Sequence, residues 1–322
     1  MIKVSFHAAE EGGVHQVVPL HQVSTDPLFE KVAAPLLLSS VTDYIATLKP
    51  ENDSQYVLVN ALGAGEYWGS NSNGDHFPEA ALIHAPSDWT GKPALDKKKG
   101  QEWTYGYPTF YGAHGFLHHR NKDPNKAVGY VEFAAWNPRM KRVELVVRLR
   151  RDLCEKFGGI PVWDRIQANE FPDVSMGSRV PFDTCSICLD WKLYREAQAT
   201  FNPKTHRHPG IAVLLFHKEL IKKNGRGIRG VAIERKDYCS HAASQMNQIF
   251  PDGRKVFVYD DYPRFFDSSF VFVGADKTAK TMLKIASAGR VYSFLPGATL
   301  AEEFGLQEPG EKTASLKDAA VR

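Results

Sequence analysis

Apolar and polar positions change period several times along the chain, and the changes outline its elements. Residues 25 to 49 open with Thr25-Asp26-Pro27, a capping residue followed by a first-turn proline, and continue with Leu28, Val32 and Leu36 at helical spacing. An amphipathic helix is expected there. From Gln55 the texture becomes a series of short β-rich runs, YVLVNAL at 56–62, VGYVEFAAW at 128–136 and RVELVVRLR at 142–150, separated by Asn, Gly, Pro and Asp clusters. These predict antiparallel strands. In VWDRIQANE, 162–170, Val162, Trp163 and Ile166 share one side at helical spacing and Pro172 ends the pattern, so a short helix is expected. It leads into DVSMGSRV, 173–180, where Val174, Met176 and Val180 predict a strand. Two more strand-like runs follow, VFVYDDY at 256–262 and FFDSSFVFVGAD at 265–276. Asp276 then caps an expected final helix, KTAKTMLKIASAG, with Met282, Leu283 and Ile285 on one face.

Between the strand runs, residues 185 to 241 hold a polar, His-rich interval, FNPKTHRHPG, framed by cysteines; it reads as an insertion with local structure of its own. Beyond Pro296 the tail is small, charged and nearly free of aromatics, a composition expected to be mobile. No internal repeat is present. The organisation expected is an N-terminal arm and helix over 1–54, a main domain over 55–295 carrying the Cys/His insertion at about 185–241, and a flexible tail over 296–322.

Composition adds limits. With 322 residues, 43% hydrophobic and 24% charged, the chain can bury one substantial core, or a core plus a small satellite. Forty basic and 37 acidic residues are well mixed and leave a formal charge of +3, which gives no field for specific nucleic-acid binding. The basic runs Lys97 to Lys99 and Lys222 to Arg229 read as solvated loops. No stretch approaches the roughly 18 apolar residues of a membrane span, and MIKVSFHAAEEGG lacks a signal peptide's apolar run, so the protein is expected to remain inside the cell that makes it.

Four blocks carry candidate chemistry in a fixed order: NSNGDHFPEAAL (71–82), GAHGFLHHRNKDPNKAVGYV (112–131), DVSMGS (173–178) and FFDSSFVFVGAD (265–276). Their succession resembles the phage prohead (head maturation) serine protease family, related to the herpesvirus assembly protease. Asn73-Gly74-Asp75 with Pro78 matches the family's opening segment. His119, followed by Asn121, Asp123-Pro124 and Gly129, fits its histidine ahead of a Gly-containing strand. Ser175 in Asp-Val-Ser-Met-Gly fits the nucleophile, and Asp267-Ser268-Ser269-Phe270-Val271 with Gly274-Ala275-Asp276 fits the last block loosely. The likeness spans roughly residues 55 to 290.

That resemblance implies an α+β fold with a mainly antiparallel β-barrel-like body and surrounding helices. It also implies a serine endopeptidase that cuts phage scaffold and major capsid proteins inside the assembling prohead in the host cytoplasm, with self-cleavage and a homodimer by analogy. Serine needs an imidazole to take its proton, and the imidazole needs a third group to fix its tautomer. Ser175 is then the nucleophile, His119 the base and acid, and Asp267 the orienting carboxylate. His114 and His118 compete with His119, and because the herpesvirus relatives use a second histidine as third member, Asp267 stands open to challenge. Gly177 and a turn after Ser175 are candidates for oxyanion donors, and Arg179 for polarising a bridging water. Asp75 reads as a turn residue. No cofactor is required for this chemistry.

Four cysteines, Cys154, Cys185, Cys188 and Cys239, are too few for a disulfide framework in a chain of this size. Cys185-Ser-Ile-Cys188 together with Cys239-Ser-His241 offers the four donors of a tetrahedral Cys₃His zinc site. His206, His208 and His217 are alternative ligands. The block Asp183-Thr-Cys185-Ser-Ile-Cys188 resembles one that some family members carry directly after the serine motif. Two other functions compete: a non-enzymatic head or scaffold protein on the same fold, and a metal-dependent nuclease built on the His-rich segment 114–123.

Overall fold

The computed structural model describes residues 39–49, 51–84, 105–202, 204, 209–276, 278–287 and 290–291. The first part of the expected N-terminal helix, the run Lys97 to Lys99, His206, His208 and the tail after Pro296 lie outside these residues. Within them, α1 (Ser39–Ala46) occupies the later part of the stretch read as a helix. Among the described residues no helix is long and apolar enough to cross a membrane.

Seven strands close into a barrel: β1 (Ser54–Gly63), β3 (His114–Gly115), β4 (Gly129–Asn137), β5 (Arg142–Arg150), β6 (Asp173–Arg179), β10 (Arg264–Val271) and β11 (Lys280–Ser287), with β12 (Arg290–Val291) appended to β11. The order is β1-β5-β4-β3-β10-β6-β11, and β11 pairs back onto β1 from Gln55↔Ser287 to Asn60↔Lys280. The protein is therefore α+β with a barrel body, as expected. All ten residues of β1 are buried, which explains why its apolar residues run together at Tyr56–Val59 and Ala61–Leu62 and do not alternate with exposed polar ones. Val57, Val59 and Ala61 join the main core with Val143, Leu145, Val147 and Leu149, while Tyr56 and Leu58 turn to a second cluster with Tyr44, Phe133, Val146 and Ile285.

Two helices follow β5, α2 (Arg151–Phe157) and α3 (Ile160–Gln167), and α3 inserts Trp163 and Ile166 into the main core. The expected helix at 162–170 thus starts two residues earlier and delivers the chain to β6. Within 277–289, expected as a final helix, Lys280–Ser287 instead form the strand β11. Met282 and Ile285, three apart, suit a helix and not a regular strand; β11 brings both to the α1 cluster because its register on β1 shifts at each of them, and pairing the edges that β1 and β6 would otherwise leave open outweighs helix propensity. Asp276 caps no helix; its Oδ1 accepts from the Thr278 N–H and hydroxyl, both at 2.7 Å.

A second sheet, in the order β2-β9-β7-β8, joins β2 (Asp75–His76), β7 (Asp183–Cys185), β8 (Val231–Ala232) and β9 (Val258–Tyr259). Of the run VFVYDDY, only Val258 and Tyr259 are in a strand. The insertion is helical, with α4 (Trp191–Ala199) and α5 (Pro209–Asn224) packed on a satellite core of Phe182, Leu189, Tyr194, Val213 and Ile228. Lys222 and Lys223, read as part of a loop, lie in the last turn of α5, where cations suit the negative end of the helix dipole.

Ile285 is fully buried between β11 and the α1 cluster. Ile285→Ala is expected to lower stability by about 2–5 kcal/mol, read as a lower urea midpoint at unchanged slope; a change within about 0.5 kcal/mol, the size of an ordinary surface effect, would contradict the packing given to β11.

Candidate active site

Strand β10 lies between β3 and β6, parallel to the former and antiparallel to the latter. Asp267 pairs with His114 on one side and Gly177 on the other, and Ser269 pairs with Ser175. Because side chains alternate along a strand, Ser175, Gly177, Asp267 and Ser269 share one face. A bulge at Phe266, where the β10–β6 register shifts between Phe265 and Asp267, buries both of its neighbours. Phe265 stacks on Phe110 with ring centroids 4.1 Å apart and anchors the strand just before the acid.

After β3 the chain bridges Leu117 to Phe270 and turns back through His118 and His119, with Arg120 N donating to Leu117 O at 3.0 Å. Both central residues are left-handed, φ 50° at His118 and 54° at His119. Non-glycine residues at positive φ cost of order 1–3 kcal/mol each and cluster at functional sites. Here the turn swings the His119 ring over β10.

His119 Nδ1 lies 2.8 Å from Asp267 Oδ2, and Nε2 lies 2.8 Å from Ser175 Oγ. A carboxylate only accepts, so the pairing puts the ring proton on Nδ1 and leaves Nε2 to accept the serine hydroxyl. Asp267 also accepts from Asn121 Nδ2 at 2.7 Å and, through Oδ1, from Ser269 Oγ at 2.6 Å. The acid side chain is 0% exposed and the His119 side chain 39% exposed, so the line runs from a buried charge to an accessible serine. Gly177 makes room for it: a Cβ there would sit 2.9 Å from Asp267 Cβ and 3.2 Å from its Oδ2.

The three proposed catalytic residues are thus brought together. The competing histidines are not: His118 stacks on Phe272 at 4.3 Å, and His114 packs against Phe116 and Tyr130 at 5.7 and 5.2 Å. No turn follows Ser175, which sits within β6, so the oxyanion donors expected from such a turn are not formed that way. Gly177 serves instead as the space for Asp267. Arg179 is exposed, with its guanidinium over the Phe266 ring at 5.0 Å, and lines a neighbouring groove instead of the space before Ser175. In the sequence Asn121 and Ser269 mark only motif spacing; their part as donors to a carboxylate requires the turn and register that bring them to Asp267.

Ser175 and His119 open onto a cavity of about 260 Å³ whose wall carries Asp75, Asp183, Asp260 and Asp276 beside Arg235 and Tyr238. Asp75 belongs to strand β2 and not to a turn. Asp183 and Asp260 hydrogen-bond each other, Asp183 also accepts from Tyr238 at 2.5 Å, and Asp75 accepts from Asn71 at 2.9 Å. Burial first, then the neighbouring acids, hold Asp260 well above the ordinary carboxylate range, and burial raises Asp183 in the same direction. A wider groove of about 660 Å³, lined by His114, Phe116, Arg179, Arg264 and Phe266, lies across Val180, which borders both spaces.

Cys185, Cys188, Cys239 and His241 bring one donor atom each within 4.8 Å of one another, a Cys₃His cluster compatible with a structural zinc. The Ile187 N–H donates to Cys185 Sγ at 3.4 Å. Burial pushes the Cys188 thiol up to about 12 and Cys185 upward as well. Burial opposes ionisation of Cys239 too, yet hydrogen bonds from the Ala242 N–H and the two other thiols bring it below its ordinary value. His217, a suggested alternative ligand, is buried and accepts from Ile228 N at 3.0 Å, a packing role. Cys154 is buried in the main core.

No family model, no curated protein and no solved structure matches the chain.

The raised Asp260 carboxyl gives a stability signature with a definite sign. A folded-state acid held above its unfolded value binds more protons folded than unfolded, so its contribution weakens as pH rises from the ordinary carboxylate value of about 4 through the higher folded one. Asp260→Asn is expected to flatten that loss, read as a smaller drop in melting temperature between pH 5 and 8 than the parent shows; equal drops would remove Asp260 as its source.

Proposed function

We propose that this chain is a serine endopeptidase that processes scaffold and capsid proteins during phage head maturation, acting inside the assembling prohead. One observation carries the catalytic half: the unbroken hydrogen-bond line Ser175–His119–Asp267 at 2.8 Å per step, with its acid fully buried. The assembly half rests on the collinear motifs at 71–82, 112–131, 173–178 and 265–276.

In this reading His119 Nε2 takes the Ser175 proton as Oγ attacks the scissile carbonyl, and the same nitrogen then returns the proton to the leaving amine. Asp267 keeps the imidazole in the required tautomer and balances the charge that develops on it. Asn121 and Ser269 hold the carboxylate, so its orientation does not depend on His119 alone. The cavity and the groove on either side of Val180 give an extended chain room to lie across Ser175, as an endopeptidase requires.

Cys185, Cys188, Cys239 and His241 would hold zinc in a structural capacity, with all four positions filled by protein and none open to a substrate. The metal would fasten the start of α6 (Ser240–Ser244) to the end of β7, ten residues beyond Ser175.

Co-expression of the chain with the scaffold and capsid proteins of the same genome should give defined fragments by mass spectrometry. Ser175→Ala should abolish them, and Asp267→Asn should slow their formation by about 10³–10⁴-fold while leaving the melting temperature within a few degrees. Fragments that persist with Ser175→Ala would refute the nucleophile assignment.

Protein made in zinc-supplemented medium should contain one zinc per chain by atomic spectroscopy. Chelation or Cys188→Ser should remove it and lower the melting temperature; a metal-free parent protein would contradict the zinc reading.

A further inference from the structure

The cavity in front of Ser175 is unusual in its charge balance. Its wall carries four aspartates against one arginine, with His119 and Ser175 at its catalytic edge. Buried carboxyls are held in proteins by donors or cations, because desolvating them alone is costly. Three of the four have such partners: Asp75 with Asn71, Asp183 with Tyr238, and Asp276 with Thr278. Asp260 is held only in part: it is 5% exposed, lines the cavity and is bonded to Asp183, but its Oδ2 has no hydrogen-bond partner. The site is thus built with an acceptor left over and with more carboxyl groups than cations.

A cationic occupant would resolve both, and the arrangement distinguishes between two kinds. A divalent ion needs several oxygens converging on one point. Among the described residues only the cysteine cluster brings three or more candidate ligand atoms within 4.8 Å; the aspartates do not converge. Acceptors spread around the cavity suit a side chain carrying several N–H donors. One water needs about 10–15 Å³ of such space, so about 260 Å³ admits a chain of several heavy atoms.

We propose that this cavity is the specificity pocket of the site and takes a lysine or arginine side chain of the substrate, at a residue immediately flanking the scissile bond. Asp75, Asp183 and Asp260 receive the ammonium or guanidinium, and Tyr238 and Asn71 hold two of those carboxyls in place. The inference rests on the serine-protease reading above.

The test uses the full chain and a peptide library cut to completion, with both new termini read by mass spectrometry, beside labelling by a simple alkyl fluorophosphonate that reports the nucleophile without needing the pocket. Expected are Ser175 labelling, cuts with Lys or Arg enriched at least tenfold at one flanking position, and a fall of at least tenfold in the kcat/KM ratio of lysine over norleucine substrates in Asp75→Asn and Asp183→Asn. Since either variant could misfold, the parent protein is also competed with n-butylamine against n-butanol; only the amine should inhibit. Ser175-dependent cutting with no cationic preference, or equal inhibition by both competitors, would overturn the pocket assignment and leave the protease reading standing. Absence of both Ser175 labelling and Ser175-dependent cuts would overturn the protease reading and this inference with it. Calcium binding by calorimetry in Ser175→Ala, lost in Asp75→Asn, would make the cavity a metal site and overturn the inference alone.

Discussion

A ring of seven strands cannot close with every neighbouring pair antiparallel, because each antiparallel step reverses direction and an odd number of reversals never returns to the start. One pair has to run parallel, and in this barrel it is β3 with β10. The candidate site is built on that joint. Parallel neighbours cannot be linked by a hairpin, so β3 and β10 come from segments far apart in sequence and the chain leaving β3 is free to turn back over its neighbour. That turn carries His119. The strand beneath it carries Asp267, and the next strand across carries Ser175. Three residues 56 and 92 positions apart thus converge because the barrel must close, and the positive φ of His118 and His119 is the local cost of directing the ring inward.

The buried acid sets the second constraint. A fully desolvated carboxylate is tolerated only where donors replace its water. Asp267 has three, from His119, Asn121 and Ser269, and they come from the turn after β3 and from its own strand. Loss of any one would leave a buried acceptor short, so the same bonds that orient the imidazole also stabilise the barrel at its parallel joint. Gly177 belongs to this arrangement as much as the donors do, since a methyl group in its place would press on the carboxyl itself.

The legible part of the fold was whatever local period determines. The runs of β1, β4, β5 and β6, the helix ending before Pro172 and the later part of the N-terminal helix follow from alternation, helical spacing and capping. Residues 280–287 read as a helix because Met282 and Ile285 stand at helical spacing, which the strand accommodates through register shifts at those two residues, and the deciding term, two open strand edges, is tertiary. At the site, Ser175, Asp267 and, by its spacing to Asn121, Asp123 and Gly129, His119 were readable from the order of motifs; the two-residue turn of positive φ at His118 and His119, which directs the His119 ring over β10, was not. The cysteine cluster was readable because C-x₂-C fixes two donors locally, leaving only Cys239 and His241 to be brought in by folding. Asp260 could not be found, because one aspartate in Tyr-Asp-Asp-Tyr looks like its neighbour; yet Asp261 accepts from Tyr194 while Asp260 faces the cavity.

Two carboxyl environments therefore stand within one site, and their difference is chemical. Asp267 is saturated with donors, so nothing further is needed to hold it and its task is to fix a neighbour. Asp260 and Asp183 are bonded to each other; burial first pushes both upward, with Asp75 adding to each and Asp183 and Asp261 adding to Asp260. A group saturated in this way is indifferent to what enters the site; a group left short is not, because an arriving cation would relieve repulsion already built into the fold. In the proposed reading, orientation of the imidazole and recognition of charge fall to different aspartates, the first on the barrel strand β10 and the second beside the smaller sheet that carries Cys185 of the cysteine cluster.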